Sequence, residues 1–247
     1  MQVSETDQGG ALKNTQKVLG ICGGMGPFAS TDFLRTIYEL NRTRVEQDLP
    51  KCILYSDPSV ADRTETIRTG AKTALVDQLV EILGKLEQLG SDKIVICCVT
   101  SHHFLSSVPL RLREKIISLI DLIVDEAISR KKKHLLLCST GTRMSDVIRK
   151  HERWSEAEPY IVFPSEEDQG TIHNLIYRLK TNPDDDSALS CLEWLLEKYR
   201  LDAFISGCTE FHLLTRQLMR SGKNVNRCSV IDPLWIVAAD LNRLLME

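Results

Sequence analysis

The sequence has no long apolar run and no strong excess of charge of either sign. No stretch approaches the roughly 18 apolar residues that a membrane-spanning helix needs, and the first 16 residues carry no hydrophobic signal-peptide core. Basic and acidic residues nearly balance, at 31 against 34, and neither half is strongly basic, which argues against nucleic acid as a partner. We therefore expect a cytoplasmic protein that acts on neither membranes nor nucleic acids, with residues 1–16 as a mobile tail.

Familiar metal and nucleotide motifs are also missing. The eight cysteines lack the paired Cys-x-x-Cys spacing of a zinc site, and a cytosolic chain of this size does not need disulfides. Cys98 and His102 are four residues apart, as on one helix face, but no third and fourth ligand of suitable spacing accompany them. The glycine-rich segment Gly23–Pro27 is neither a Gly-x-Gly-x-x-Gly turn nor a phosphate loop. The sequence thus predicts neither a bound metal nor a nucleotide.

Short apolar runs alternate with amphipathic segments along the whole chain. This rhythm indicates parallel βαβ units and an α/β fold. The runs that predict strands begin at residues 18, 52, 93, 135, 160, 203 and 229. Helices are predicted over 28–41, 71–89, 166–180 and 187–199, with Pro27 in the first turn of the earliest one.

Two features recur at nearly equal separations. The strand and glycine turn at 19–26 are echoed at 136–142, a shift of roughly 116 residues, and the strand ending in Cys98 is echoed 110 residues later by the one ending in Cys208. We expect two pseudo-symmetric lobes, each a mainly parallel sheet flanked by helices, with the active site between them. The expected division is 17–114 plus 230–247 for the first lobe and 115–229 for the second.

The two cysteines at matching strand ends are the strongest candidates for chemistry. Functional loops of parallel sheets follow the carboxyl ends of strands, where both Cys98 and Cys208 fall. Each alone has a structural alternative, a core cysteine beside helix-capping hydroxyls. The backbone amides of the glycine turn can hold a carboxylate, and residues 139–142 can do the same in the second lobe. Arg63 can bind a carboxylate in a fork or pair with Asp57 or Asp62.

Together these strings resemble the aspartate/glutamate racemase family from about Val18 onwards. The matching segments are Gly-Gly-Met-Gly-Pro at 23–27, Asp-Arg-Thr at 62–64, Cys98 with Thr100 and His102, Thr-Gly-Thr at 140–142, Asp-Gln at 168–169, and Gly-Cys-Thr-Glu at 207–210. The resemblance implies catalysis without pyridoxal phosphate or metal, usually by homodimers. One cysteine thiolate removes the α-proton of the amino acid, and the other thiol protonates the opposite face.

The resemblance also implies which residues hold the substrate. Hydrogen-bond donors must stabilise an enediolate when no cofactor takes up the charge, and a cation must bind the side-chain carboxylate, a role implied for Arg63 and Lys180. Lys180 is otherwise a solvated cation at a helix end. With Cys98 and Cys208 catalytic, the implied substrate-binding positions are Gly24, Met25, Gly26, Arg63, Thr64, Val99, Thr100, Thr140, Thr142, Lys180, Thr209 and Glu210.

The chain departs from the family at Val99, where the family has asparagine, so one amide group is absent. Its neighbour Cys97 is expected in the core, because successive strand side chains point to opposite faces. The leading hypothesis is a racemase of aspartate, glutamate or a substituted aspartate. The alternatives are a dicarboxylate isomerase or decarboxylase of the same superfamily, and a carboxylate-binding protein without turnover, which the loss of asparagine favours.

Overall fold

The apolar runs form seven parallel strands. A computed structural model describes residues 17–221 and 228–246, so the predicted tail at 1–16 lies outside the described residues. All seven predicted strands are confirmed within a few residues. They are β1 (Val18–Gly23), β2 (Lys51–Ser56), β3 (Lys93–Ile96), β4 (His134–Leu137), β5 (Ile161–Val162), β6 (Ala203–Ser206) and β7 (Ser229–Ile231).

Helices connect the strands and cover both faces of the sheets. They are α1 (Pro27–Leu40), α2 (Arg63–Thr69), α3 (Thr73–Gln88), α4 (Leu110–Arg113), α5 (Leu119–Arg130), α6 (Thr140–Ser145), α7 (Trp154–Ala157), α8 (Glu166–Thr181), α9 (Ser187–Tyr199), α10 (Phe211–Ser221), α11 (Pro233–Ala239) and α12 (Leu241–Met246). Short 3₁₀ segments run over Glu46–Asp48, Thr100–Ser107 and Glu158–Tyr160. Local chemistry sets several boundaries: Pro27 starts α1, and the side chains of Ser118 and Ser165 accept backbone N–H groups at the starts of α5 and α8.

The two sheets repeat one topology. The first has the order β2-β1-β3 and the second β5-β4-β6-β7, and every pairing is parallel. A parallel bridge between Ile94 and Ile116 extends the edge of β3 at the place where β7 extends the edge of β6. This α/β fold with two pseudo-symmetric lobes confirms the predicted fold class.

The C-terminal segment belongs to both halves. β7 pairs with β6 in the second sheet, so the expected domain boundary at 229/230 falls inside a strand. After β7 the chain returns to the first lobe, where α11 packs on α1 and the Asn41 side-chain amide donates to the carbonyl of Ala238, 2.8 Å away. The wider division into 17–114 plus 230–247 and 115–229 stays a prediction.

A buried polar network joins the lobes behind the sheets. His212 on α10 contacts Asp232 through Nδ1 at 2.7 Å and Thr36 on α1 through Nε2 at 2.9 Å, and all three side chains are buried. Arg216, one turn further along α10, is also buried and forms an ion pair with Glu39 of α1 at 3.0 Å. Such paired groups fix one geometry, because an unpaired buried charge costs several kcal/mol.

Candidate active site

Cys98 and Cys208 occupy equivalent places in the two lobes. Each lies two residues beyond its strand, β3 for Cys98 and β6 for Cys208, at the carboxyl edge of its sheet. Both sulfurs line one cleft between the lobes and lie close enough to interact electrostatically. Cys97 is fully buried in the hydrophobic core, as strand alternation predicts, so it is Cys98 that faces the cleft.

A buried carboxylate holds the Cys208 thiol. The Sγ atom of Cys208 donates a hydrogen bond to Oε2 of Glu210 at 2.8 Å, and the Glu210 side chain is only 1% exposed. Burial raises the pKa of Cys208 well above its ordinary value, and the negative charge of Glu210 raises it further, whereas Lys180 acts in the opposite direction. Cys208 therefore carries its proton in the resting protein.

A buried guanidinium lies on the Cys98 side of the cleft. Arg63 donates to the backbone carbonyls of Met25 at 2.8 Å and Ala61 at 3.0 Å, which fixes its plane. Burial lowers the pKa of Arg63, but nearby negative charge at Cys98, Asp62 and Glu210 outweighs burial and raises it. The guanidinium therefore stays charged and supplies a fixed positive charge beside Cys98.

The glycine turn packs tightly around the same carboxylate. A Cβ atom on Gly26 would lie 2.4 Å from Oε1 of Glu210, so only glycine leaves room for that side chain. Gly24 has a φ of +90° and abuts the backbone of Asp57, a second position that requires glycine. The carboxylate against this turn is thus the protein's own Glu210. Its Oε1 atom is buried without a hydrogen-bond partner among the described residues.

Three hydroxyl groups form a closed triangle where the lobes meet. Oγ1 of Thr100 lies 3.0 Å from Oγ of Ser139 and 2.8 Å from Oγ1 of Thr142, and the last two oxygens are 3.2 Å apart. All three side chains are buried. The start of α6 can lie this close to Thr64 because residue 141 is glycine. A Cβ atom at that position would lie 2.7 Å from Oγ1 of Thr64. Thr100 and Ser139 of this triangle line the cleft together with Cys98.

Comparison with known proteins identifies the family of this chain. The sequence matches the Asp/Glu/Hydantoin racemase family over residues 22–241, most of its length. The chain belongs to that family. It is similar to the broad specificity amino-acid racemase RacX of Bacillus subtilis, at 25% identity over 203 residues that cover 79% of this chain and 86% of the relative.

Solved racemase structures share the fold. The aspartate racemase of Picrophilus torridus is 27% identical, with a TM-score of 0.76 and coverage of 93% of this chain and 94% of that one. The glutamate racemase of Campylobacter jejuni is 22% identical, with a TM-score of 0.61 and coverage of 92% and 85%. At that identity the second likeness concerns the fold alone.

The cleft of this racemase-family chain gathers most of the residues expected from sequence. Eight of them line it, namely Met25, Arg63, Thr64, Cys98, Thr100, Lys180, Cys208 and Glu210. Gly26 contacts Glu210, and Thr142 reaches the site through the hydroxyl triangle. The cleft is narrow, since its volume of about 10 Å³ is roughly what one water molecule needs.

Four expected contacts lie elsewhere in this member of the racemase family. The Val99 side chain is buried in the core with Cys97, so only its backbone can face the cleft. Thr209 uses its hydroxyl to donate to the carbonyl of Cys97 at 3.1 Å, which ties the two strand ends together. The amide of Thr140 donates to His173 at 3.3 Å, and neither Thr140 nor Gly24 lines the cleft.

Three cleft residues were not among the expected substrate contacts: Asp62, Ser139 and Tyr177. Asp62 and Ser139 flank expected residues in sequence, so their motifs contained a signal. Tyr177 is a single aromatic residue on α8, and nothing in its surroundings distinguishes it from a surface tyrosine. Tyr177 reaches the cleft because its hydroxyl donates to Oδ2 of Asp62 at 2.6 Å.

His102 has a structural role in this racemase-family site. Its Nε2 atom accepts the amide of Leu119 at 3.1 Å, so Nδ1 carries the proton and donates to the carbonyl of Cys98 at 3.1 Å. Both nitrogens are thus engaged in fixing the Cys98 loop.

Across 17–221 and 228–246, no three His, Cys, Asp or Glu side chains are grouped to bind a metal ion. None of the helices in these ranges is both long and apolar enough to span a membrane.

Proposed function

We propose that this protein is an amino-acid racemase that inverts an acidic amino acid, with aspartate as the first candidate, through a two-base mechanism without pyridoxal phosphate. The observation that carries the proposal is the pair of thiols, Cys98 and Cys208, which reach one cleft from equivalent strand ends of two pseudo-symmetric lobes. Inversion at a carbon needs one base and one acid on opposite faces, and paired lobes supply them. Family membership and the similarity to amino-acid racemases support the reaction class.

The surroundings of the two thiols favour Cys98 as the first base. Cys208 donates a hydrogen bond to Glu210 and keeps its proton, whereas Cys98 lies beside the charged guanidinium of Arg63. In one direction the Cys98 thiolate takes the α-proton and the Cys208 thiol delivers a proton to the opposite face. Cys98 then holds the proton and Cys208 the negative charge, so catalysis of the reverse direction starts from that form.

Each charged group of an acidic amino acid has a candidate binding partner in the cleft. Oε1 of Glu210, buried without a partner among the described residues, is suited to accept a hydrogen bond from the α-ammonium group. The hydroxyl of Thr100, supported by Ser139 and Thr142, can donate to the α-carboxylate as it becomes an enediolate. Arg63 and Lys180, one from each lobe, supply positive charge for the side-chain carboxylate.

The choice among acidic substrates rests on similarity. The Picrophilus torridus relative is an aspartate racemase, which favours aspartate over glutamate. RacX is named for broad specificity, so related sites accept several amino acids. The cytoplasmic location and the homodimeric state stay predictions drawn from sequence and family resemblance.

Proton exchange in D₂O tests the proposal directly. Purified protein is incubated with L-aspartate, then L-glutamate, and the α-proton signal is followed by NMR while a chiral separation measures the D-enantiomer. We expect loss of the α-proton together with formation of the D-form. Cys98→Ala and Cys208→Ala should each abolish racemisation, whereas Cys191→Ala, a substitution on α9 outside the cleft, should leave it unchanged.

The alternatives give different outcomes. Exchange without inversion, or turnover of a dicarboxylate that is not an amino acid, would point to an isomerase or decarboxylase. A protein that binds aspartate in calorimetry, fails to exchange its α-proton, and binds equally well after Cys98→Ala would be a binding protein. Either result would refute the racemase proposal.

A further inference from the structure

Tyr177 lines the cleft from the second lobe and contacts the first lobe. It lies on α8, its side chain is 37% exposed, and its hydroxyl donates to Oδ2 of Asp62 at 2.6 Å. Asp62 precedes α2 in the first lobe, so this hydrogen bond crosses from one lobe to the other. The hydrogen bond raises the pKa of Tyr177 further above the level set by its partial burial, so the hydroxyl keeps its proton at neutral pH.

The ring of Tyr177 also holds Lys180. The two residues are three apart on α8, which places them on one face of the helix, and Nζ of Lys180 lies 4.4 Å from the ring centroid. His173, four residues before Tyr177, also contacts the ring, with ring centroids 4.6 Å apart. The charge of Lys180 also helps to lower the pKa of Asp62 and acts on Cys208, so the ammonium group lies near the Tyr177–Asp62 contact and near the cleft.

Asp62 connects Tyr177 to the other cation of the cleft. Oδ1 of Asp62 accepts the amide of Glu65 and caps α2, and the first residue of that helix is Arg63. Oδ2 is left for Tyr177. One tyrosine therefore contacts the start of the helix that carries Arg63 and the side chain of Lys180 at the same time.

We propose that Tyr177 is a positioning residue that latches the closed cleft through Asp62 and holds Lys180 over it, and so sets the preference for an acidic side chain. The inference rests on the proposed function for its substrate, but the latch itself is a property of the free protein. The narrow cleft has room for about one water molecule, so an amino acid enters only when the lobes separate and this hydrogen bond breaks.

Two substitutions separate the hydroxyl from the ring. Tyr177→Phe removes the hydrogen bond and keeps the ring over Lys180, whereas Tyr177→Leu removes both. The matched control is Tyr199→Phe, because Tyr199 also donates to an aspartate, Asp168, at 2.6 Å, but within the second lobe and outside the cleft. The first readout is the rate at which iodoacetamide alkylates Cys98 and Cys208 in the free protein, followed by peptide mass spectrometry.

The latch predicts faster alkylation in both variants. Loss of one hydrogen bond should increase the open population, and with it the alkylation rates of Cys98 and Cys208, about fivefold, with no change in Tyr199→Phe. The second readout is the ratio of kcat/KM for aspartate to that for asparagine. Tyr177→Leu should lower this ratio about fivefold below the ratio of Tyr177→Phe, since only the former releases Lys180.

Three outcomes decide the proposal. Alkylation at the wild-type rate in Tyr177→Phe would overturn the latch, and equal substrate ratios in the Phe and Leu variants would overturn the role of the ring. Melting temperatures of all variants show whether a change reflects unfolding. A wild-type protein without racemase activity would refute the proposed function, and the alkylation rates would still decide the latch.

Discussion

Replacing Glu210 with glutamine tests how the protein keeps Cys208 protonated. Glutamine has nearly the shape of glutamate and retains an oxygen that can accept from the thiol, but it carries no charge. The carboxylate is buried and accepts the Cys208 hydrogen bond at 2.8 Å, so its charge acts on the sulfur with little screening by water. Removing that charge makes the Cys208 thiolate easier to form.

The size of the effect follows from the contact. A hydrogen bond to a charged group is worth about 1.5–3 kcal/mol and one between neutral groups about 0.5–1.5, a difference of about one pKa unit at 1.36 kcal/mol per unit. The Coulomb energy of two charges about 4 Å apart, about 4 kcal/mol at an effective dielectric constant of 20, corresponds to about three units. We therefore expect Glu210→Gln to favour the Cys208 thiolate by about 1–4 kcal/mol, and so to lower the pKa of Cys208.

The pH dependence of kcat/KM reports this change. In the free enzyme the alkaline limb reflects loss of the proton from the acid, so the limb should move to lower pH in Glu210→Gln. The pH profile for alkylation of Cys208 should move in the same direction and does not depend on activity. Glu166→Gln is the control, because Glu166 is exposed, pairs with Arg143 and does not line the cleft.

An unchanged alkaline limb and an unchanged alkylation profile in Glu210→Gln would refute the reasoning. Either would mean that the carboxylate does not act on Cys208 as an anion. A shift to higher pH would contradict the sign of the electrostatic effect itself.

Four further substitutions test other parts of the structure. Gly26→Ala should shift the alkaline limb as Glu210→Gln does, with little change in melting temperature, because the new Cβ would displace the Glu210 carboxylate from Cys208. Thr100→Val should lower kcat/KM about fivefold to tenfold in steady-state assays by removing one hydroxyl of the triangle. His212→Leu should cost about 3–5 kcal/mol in urea unfolding, because Asp232 is left buried without its partner. Burial raises the pKa of Asp232, but the interaction with His212 outweighs burial and lowers it. The Asp232 carboxylate therefore contributes fully to the free energy of unfolding above about pH 4, and this contribution is lost as the pH falls. Asp232→Asn should not show this loss of stability in acid.

The fold was predictable because each buried strand is a short apolar run that ends at polar or glycine residues. The repeat of that pattern was enough to place Cys98 and Cys208 in equivalent positions. Strand alternation separated Cys98 from Cys97. Val99 lies beyond the strand with helical backbone angles, and its side chain also packs in the core cluster that contains Cys97. The missing amide at that position therefore removes no side chain from the cleft.

Other features depend on contacts that no local pattern contains. The roles of Glu210 and Tyr177 arise from distances to Cys208 and Asp62, and the Tyr177 contact joins residues 115 positions apart. The glycine turn was expected to receive a substrate carboxylate, yet the side chain that packs against it comes from the other lobe. A single sequence shows which residues can bind a substrate carboxylate. It does not show which of these residues already contact another side chain of the protein in the folded state.

The packing of α11 on α1 has a consequence for biosynthesis. The apolar face of α1, with Phe33 and Ile37, belongs to the same core cluster as Leu234 and Val237, so the partners are made about 200 residues apart. At about 5–20 residues per second, roughly 10–40 s separate their emergence from the ribosome. During that interval β4, β5 and β6 of the second sheet can pair while α1 lacks part of its cover. The lobe that is synthesised first therefore completes its own packing only after α11 has emerged.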